Sequence, residues 1–239
     1  MTKNIFLALI ICFFLACKEE SSSSLTNNYT IRGTISQIDD GKGVYLKAQE
    51  NGILVTIDST IIENGSFEFT GSIDRPIVYG IFVDSLKDAV GLFMENKKIT
   101  IDVYKDSLAS SKVNGSRTND EYLDFVKRSN QIISKMNVLF PVFQKARAEN
   151  DVEKLREINN KMQEISNENT AFMLTYAKQH PDSYIGAMAL QSVIRIPSIH
   201  RDTILKIYNN FSNYVKSGEF AIETALFLET PIKQDSIYN

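Results

Sequence analysis

The two cysteines, Cys12 and Cys17, are the only side chains in the sequence capable of thiol chemistry. Both lie within or directly after an apolar run, residues 5–16, which follows a single positive side chain at Lys3. A helix of about 12 residues covers about 18 Å, well short of the roughly 30 Å hydrocarbon core of a bilayer. Residues 1–16 are therefore typical of a secretory signal peptide.

The residues around the second cysteine indicate lipid chemistry. Leu15-Ala16-Cys17 resembles the end of a bacterial lipobox, in which the cysteine is lipidated and becomes the mature N-terminus. Phe14 departs from that pattern, because an aliphatic residue is commonest at its position. We predict lipidation of Cys17, with ~0.8 kcal/mol of membrane affinity per buried CH₂ group. The alternatives are an ordinary secretory signal with an incidental cysteine, or an N-terminal membrane anchor.

The polar residues after Cys17 predict a flexible tether, residues 17–28, and an envelope location. Glu19-Glu20 after Lys18 resembles a sorting signal of Bacteroidetes-type lipoproteins for the outer face of the outer membrane. We expect a lipid anchor in the outer membrane, on either its periplasmic or its surface-exposed side. The formal net charge of -3 argues against a nucleic-acid partner, because such proteins usually carry a basic excess.

The remaining polar candidates for chemistry are weak. His180 and His200 are 20 residues apart and have no second pair of ligands in a metal-binding pattern. Asp39-Asp40 lies in a predicted turn and Glu19-Glu20 in the tether, whereas acid-base catalysis needs carboxyl groups in an environment that shifts their pKa. The sequence therefore predicts no catalytic, metal-binding or cofactor-binding residue, and no cofactor.

Residues 29–114 show the period of two that is typical of strands buried on one face. Asn64-Gly65 predicts a tight hairpin, because both residues tolerate a positive φ. Seven or eight short strands with turns every 8 to 12 residues predict an antiparallel β-sandwich or open barrel. A glycan-binding face that uses Tyr45 and Tyr79 is one interpretation, and burial of both rings is another.

Residues 115–229 change to a helical period, and Thr118 with Glu121 fits a capping box at the start. Apolar positions then step by three or four residues along two long segments, the first broken or kinked near Pro141. We predict an α+β fold, in which the β-domain is followed by an all-helical region built on a long helical hairpin. Further helices are predicted at residues 184–194, 202–216 and 220–228, before a tail at residues 230–239.

Several short motifs together resemble a known domain. They are Asp58-Ser59-Thr60, residues 64–71, Arg75-Pro76, Glu95-Asn96, residues 113–116 and Asn119-Asp120-Glu121-Tyr122. They resemble the DUF4369-like domain of unknown function that precedes a thioredoxin-like domain in Bacteroidetes-type lipoproteins of the thiol-disulfide interchange class. Residues 180–184 resemble the helical segment that follows it in that family.

The resemblance implies a redox function that this sequence lacks the residues to perform. The family's catalytic part is a thioredoxin domain with a Trp-Cys-x-x-Cys pair, whereas this sequence has no Trp and no cysteine after Cys17. We therefore expect a non-catalytic envelope lipoprotein that acts as a membrane-anchored binding or accessory module. The alternative is a truncated or split thiol-disulfide interchange protein that works with a separate thioredoxin-like domain.

In the full-length family a thioredoxin domain would lie beside the helical region. Because an exposed apolar patch on a monomer is unusual, we expect the surface it would cover to be polar, covered by the tail or paired with a partner. The region around Phe220, Leu226 and Phe227 is predicted to contact either another chain or the tail.

Overall fold

The computed structural model describes residues 28–50 and 52–230. The predicted signal peptide at residues 1–16, Cys12, Cys17 and nearly all of the predicted tether lie outside the described residues, as does the tail beyond Thr230. The described chain forms a strand-rich N-terminal half and a helical C-terminal half, which confirms the predicted α+β class.

Eight strands form two four-stranded sheets, with strand orders β4-β1-β7-β8 and β3-β2-β5-β6. Apolar side chains from both sheets share one core, so the domain is a β-sandwich. The strands are β1 (Tyr29–Ile35), β2 (Gly43–Glu50), β3 (Ile53–Ile61), β4 (Ser66–Gly71), β5 (Ile77–Val83), β6 (Ala89–Met94), β7 (Lys98–Val103) and β8 (Lys112–Asn114).

One strand pairing differs from the antiparallel arrangement that the sequence predicts. β1 and β7 run parallel, with Ile31 opposite Ile99 and Gly33 opposite Ile101. The long chain between them forms β4 of the same sheet and the four strands β2, β3, β5 and β6 of the other sheet, which meets the need of parallel strands for a crossover connection. Alternation within a strand reports which face is buried and carries no information on the direction of its neighbour.

The predicted tight turn between β3 and β4 is present, but it closes only the single bridge between Glu63 and Ser66, because the two strands belong to different sheets and do not pair as a hairpin. Asn64 and Gly65 have φ angles of 51° and 67°, the left-handed conformation that a type I′ turn requires. Asp40 fixes this turn, because its carboxylate accepts hydrogen bonds from the backbone N–H groups of Asn64 at 2.9 Å and Gly65 at 3.1 Å. Asp39-Asp40 therefore lies in a turn, as predicted, and the second carboxylate supports backbone structure.

In the described part of the chain, seven α-helices follow the sandwich. They are α1 (Arg117–Ile133), α2 (Leu139–Ala148), α3 (Val152–Gln179), α4 (Tyr184–Gln191), α5 (Arg201–Asn209), α6 (Asn213–Lys216) and α7 (Glu219–Glu229). α1 and α2 together lie against α3, which confirms the long helical hairpin. A 3₁₀ segment, Ser134–Val138, separates α1 from α2, so Pro141 lies in the first turn of a new helix, where its missing N–H costs nothing.

Two local predictions in the helical half are wrong. Ser116 caps α1 instead of Thr118, since the Ser116 hydroxyl accepts a hydrogen bond from the Asn119 N–H. Gly115, with a φ of 106°, lets the chain turn into the helix two residues earlier than a Thr118 cap requires. The helix predicted at residues 202–216 is two helices, α5 and α6, because Ser212 starts a new helix by capping Val215.

The helical half packs on the sandwich through β6. Phe93 is fully buried and faces the helices, where its ring lies 6.3 Å from the rings of Tyr184 and of Phe220. Arg75 forms an ion pair with Glu219 at 2.9 Å, which joins the β4–β5 loop to α7. Within residues 28–50 and 52–230, no helix is both long and apolar enough to cross a membrane.

Candidate functional site

A cleft of about 720 Å³ lies where α1 meets the end of α3 and the start of α4. We call it the α1/α3/α4 cleft. One face of α1 supplies a wall, because its polar residues recur every three or four positions, as in Arg117, Asp120, Asp124 and Arg128. The turn at residues 180–183 forms the opposite wall, and the cleft also includes Tyr214 of α6.

Glu121 of α1 and Tyr176 of α3 join the two walls at the base of the cleft. The Tyr176 hydroxyl donates a hydrogen bond of 2.9 Å to Oε1 of Glu121. The same oxygen lies 3.5 Å from Nδ1 of His180. The Tyr176 and His180 rings stack with centroids 4.1 Å apart and an interplanar angle of 14°.

Burial controls the acid-base behaviour of Tyr176. Removal of its hydroxyl from water raises the pKa of the Tyr176 phenol well above its usual range, and the adjacent Glu121 carboxylate raises it further. The phenol is therefore neutral at physiological pH, where it serves as a hydrogen-bond donor to Glu121.

Tyr184 and Tyr214 line the other end of the cleft. Their ring centroids are 4.6 Å apart, and Tyr184 is buried whereas Tyr214 is 60% exposed. Burial raises the pKa of Tyr184, and its hydrogen bond with Tyr214 raises it further. The ring of Tyr184 lies so close to Gly218 that a Cβ there would contact it at 2.7 Å, so the glycine makes room for the tyrosine.

His180 is placed by the end of α3. The helix ends at Gln179, and His180-Pro181 stops it, as the sequence predicts. A Cβ at Gly186 would overlap the His180 carbonyl oxygen, so α4 can approach this turn only with a glycine at that position. The His180 side chain lines the cleft and lies beside a carboxylate.

A buried polar cluster lies between the sandwich and the start of α1. The Ser116 hydroxyl donates to Oε2 of Glu95, and Lys97 forms an ion pair with the same oxygen at 3.0 Å. Asn119 is fully buried, and its Oδ1 accepts a hydrogen bond of 2.9 Å from the Phe93 N–H. Its Nδ2 has no hydrogen-bond partner among the described residues.

The other histidine predicted from sequence lies elsewhere. His200 is at the N-cap position of α5, makes no side-chain capping bond and does not line the cleft. Within the described part of the chain, no group of three or more His, Cys, Asp or Glu side chains could hold a metal ion.

The three residues of the predicted partner surface have different environments. Phe220 packs on Phe93, and the Arg201 guanidinium lies 5.4 Å from the centroid of the Phe227 ring. Arg201 also donates hydrogen bonds to carbonyl oxygens at the end of α7, those of Phe227, Leu228 and Thr230. Leu226 is 59% exposed, so of the three it is the one that a partner could cover most fully.

The two tyrosines considered for a glycan-binding face are separated by the sheet. Tyr79 is in the sandwich core and only 8% exposed, so it cannot contribute to an external platform. Tyr45 is half-buried, and Nζ of Lys47 lies 5.4 Å from its ring centroid and 4.9 Å from that of Phe82.

The chain is thus an α+β protein with an N-terminal β-sandwich and a helical cleft. Residues 29–122 match the family described as a domain of unknown function, DUF4369. This match confirms that the N-terminal part of the chain is a DUF4369 domain, and it extends over all eight strands and the start of α1, including Glu121. No curated protein matches the chain significantly.

Proposed function

We propose that the protein is a non-catalytic envelope lipoprotein that acts as a membrane-anchored binding or accessory module. Cys17 carries the lipid that anchors it to the outer membrane, and the α1/α3/α4 cleft holds its ligand. The observation that carries the proposal is the cleft, whose size is typical of a site for a small ligand and whose walls combine aromatic rings with charged groups.

The chain between Cys17 and the sandwich supports the anchoring role. β1 begins at Tyr29, so 11 residues lie between the lipidated cysteine and the first strand. Fully extended, they span about 40 Å. This length lets the folded part reach ligands or partners near the membrane while the lipid stays inserted.

The polar groups of the cleft support binding better than catalysis. The Tyr176 phenol keeps its proton because its pKa is raised, and its O–H donates a hydrogen bond to Glu121. An activated nucleophile has a lowered pKa or loses its proton readily to a base, whereas burial and the Glu121 carboxylate both raise the pKa of Tyr176. Hydrogen bonds of this kind orient a carboxylate for recognition of a ligand.

A second candidate function is supported by the DUF4369 match together with the family resemblance of the sequence. Lipoproteins that resemble this chain carry a thioredoxin-like domain after the DUF4369 domain. A truncated or split thiol-disulfide interchange protein would obtain that domain from a separate chain. The partner contact predicted at Phe220, Leu226 and Phe227 would then be its docking surface.

Phase partitioning of the full-length protein tests the anchor. The wild-type protein should enter the detergent phase, and Cys17→Ala should remain in the aqueous phase. Cys12→Ala is the matched control, because the proposal places Cys12 in the cleaved signal peptide. A Cys17→Ala protein that partitions as the wild type does would show that the apolar segment anchors the protein without lipid.

Insulin reduction separates the two candidate functions. The purified protein alone should give the rate of the buffer blank, since its only mature thiol would be alkylated. A rate above the blank with the purified protein would refute the non-catalytic proposal. Acceleration of a separately added thioredoxin-like domain would favour the split-enzyme alternative.

A further inference from the structure

We propose that the α1/α3/α4 cleft binds an organic cation, specifically an ammonium group carried either by a small amine or by a lysine side chain of a peptide. This inference rests on the proposed function as a binding module and names the class of its ligand. It is carried by three features of the cleft: its excess of carboxylates, a half-buried carboxylate at its base that no Lys or Arg of the described residues pairs with, and the exposed ring of Tyr214.

The walls carry more negative than positive charge. The lining carboxylates are Asp120, Glu121, Asp124 and Asp182, and the lining guanidinium groups are Arg117 and Arg128, which leaves a formal excess of two negative charges. Arg128 is already engaged, because it lies 3.9 Å from Asp124 and its guanidinium is 5.2 Å from the Phe172 ring centroid. An arriving cation is therefore attracted to the cleft, and low ionic strength strengthens that attraction.

Glu121 is the one lining carboxylate that is half-buried instead of exposed, and its ion-pair partner among the described residues is His180, which is charged only when protonated. Its side chain is only 28% exposed, and no Lys or Arg among the described residues forms an ion pair with it. Its Oε1 accepts from Tyr176, whereas its Oε2 has no hydrogen-bond partner in the described part of the chain. A partly desolvated carboxylate without a cation is costly, so an ammonium group that donates to Oε2 would offset that cost.

The aromatic lining fits the same ligand. The faces of tyrosine rings attract cations, and of the three tyrosines that line the cleft Tyr214 presents an accessible ring, 60% exposed, whereas Tyr184 is buried and His180 stacks on Tyr176. Tyr176 also holds the Glu121 carboxylate in place, so binding would require little reorganisation. A volume of about 720 Å³ exceeds what one ammonium group fills, so the cation is carried on a larger body.

Titration calorimetry on the full-length protein tests the inference. The probes are n-butylammonium, its uncharged analogue n-butanol, and Nα-acetyl-lysine amide as a peptide-like ammonium. We expect saturable binding of the ammonium probes, weaker binding at high salt, and no binding of n-butanol. Tighter binding of the lysine derivative would identify a lysine side chain as the source of the cation, and tighter binding of butylammonium would identify a small amine. Absence of binding by both ammonium probes would overturn the proposal.

Glu121→Gln localises the site. The glutamine oxygen can still accept from Tyr176, so the charge is removed while the hydrogen bond is retained. We expect affinity for the ammonium probes to fall about tenfold or more. Glu164→Gln is the matched control, because it also removes one negative charge. Glu164 lies on α3 about 18 Å from Tyr176 along the helix axis, so this variant should leave the affinity for the ammonium probes unchanged.

Asp124→Asn provides a second test in case Glu121→Gln does not fold. Asp124 is exposed on the rim of the cleft, so its substitution should leave the fold intact. It should weaken binding less than Glu121→Gln does. Unchanged affinity in both variants, or competition by Mg²⁺ that displaces the ammonium probes completely, would overturn the proposal.

The outcome is separable from that of the proposed function. A protein that partitions through Cys17 and reduces no insulin, but binds no ammonium probe, retains the proposed function and loses this inference. A protein that binds the probes and also reduces insulin retains this inference and loses the non-catalytic proposal.

Discussion

The Oδ1 atom of Asn119 accepts a hydrogen bond of 2.9 Å from the backbone N–H of Phe93. β6 is an edge strand of its sheet, so this N–H has no neighbouring strand to bond with. The first turn of α1 therefore supplies, from a side chain, the hydrogen bond that a fifth strand of this sheet would otherwise make. This contact joins the DUF4369 sandwich to the helices that form the cleft.

Asn119→Ala should destabilise the protein by about 1–3 kcal/mol, because it leaves the buried Phe93 N–H without an acceptor. Urea unfolding at neutral pH measures the effect. Asn130→Ala, at an exposed position of the same helix, is the control and should change stability by less than about 0.5 kcal/mol. Equal effects of the two substitutions would show that the bond does not hold the edge strand.

Phe93→Ala should cost about 3–5 kcal/mol, since the ring is fully buried between β6 and the helices and contacts Tyr184 and Phe220. Phe82→Ala, which removes a half-buried ring from the neighbouring strand β5, should cost clearly less. Thermal unfolding compares the two variants. A similar loss of stability in both variants would show that Phe93 is not the main contact between the sandwich and the helices.

Gly186→Ala should distort the wall of the cleft, because the added methyl group would overlap the His180 carbonyl oxygen. We expect a loss of about 1–3 kcal/mol and a shift in the NMR signals of the His180 ring. At Gly91 an added Cβ would lie 3.5 Å from the Tyr122 hydroxyl, an ordinary contact, so Gly91→Ala serves as the control. His180 signals that stay at their wild-type positions in Gly186→Ala would contradict the described packing.

Tyr176→Phe should change how stability depends on alkaline pH. Folding raises the pKa of Tyr176 above 10.0, so the unfolded chain loses this proton at a lower pH than the folded chain does. The wild-type protein therefore loses stability as the pH rises above about 10, and a phenylalanine removes that contribution. Near pH 8 the variant should be about 1 kcal/mol less stable than the wild type, through the lost bond to Glu121.

Urea midpoints at pH 8 and pH 10.5 measure this difference, which should shrink at the higher pH. Tyr104→Phe, at a position 41% exposed, is the control and should retain the wild-type slope. A Tyr176→Phe variant whose deficit grows with pH would contradict the sign of the shift.

The sequence predicts local structure well where neighbouring residues alone determine the conformation of the backbone. The alternation in β1, the Asn64-Gly65 turn and the stop at His180-Pro181 all depend on neighbouring residues, and each is present. The parallel pairing of β1 with β7 is not predictable in this way, because it depends on residues far apart in the chain. The sequence predicts the wrong N-cap residue for α1, because Ser116 and Thr118 are both residue types that suit that position.

The cleft is harder to predict than the elements that form it. Glu121 and Tyr176 are 55 positions apart, and each has an ordinary local interpretation, one as part of a capping box and the other as part of an apolar stripe. Their contact arises only when α1 packs against α3. An alternation of charged residues on one face of α1, at Arg117, Asp120, Asp124 and Arg128, was the signal that could have indicated a polar wall.

Intact-mass analysis of the protein isolated from its native envelope tests the central claim, a binding module anchored through Cys17, most directly. The account predicts a polypeptide that begins at Cys17, lacks residues 1–16 and carries the added mass of acyl chains on that residue. Fragmentation of the N-terminal peptide should place the lipid on Cys17. A mature protein that retains Met1, or one in which Cys17 is unmodified, would contradict the account.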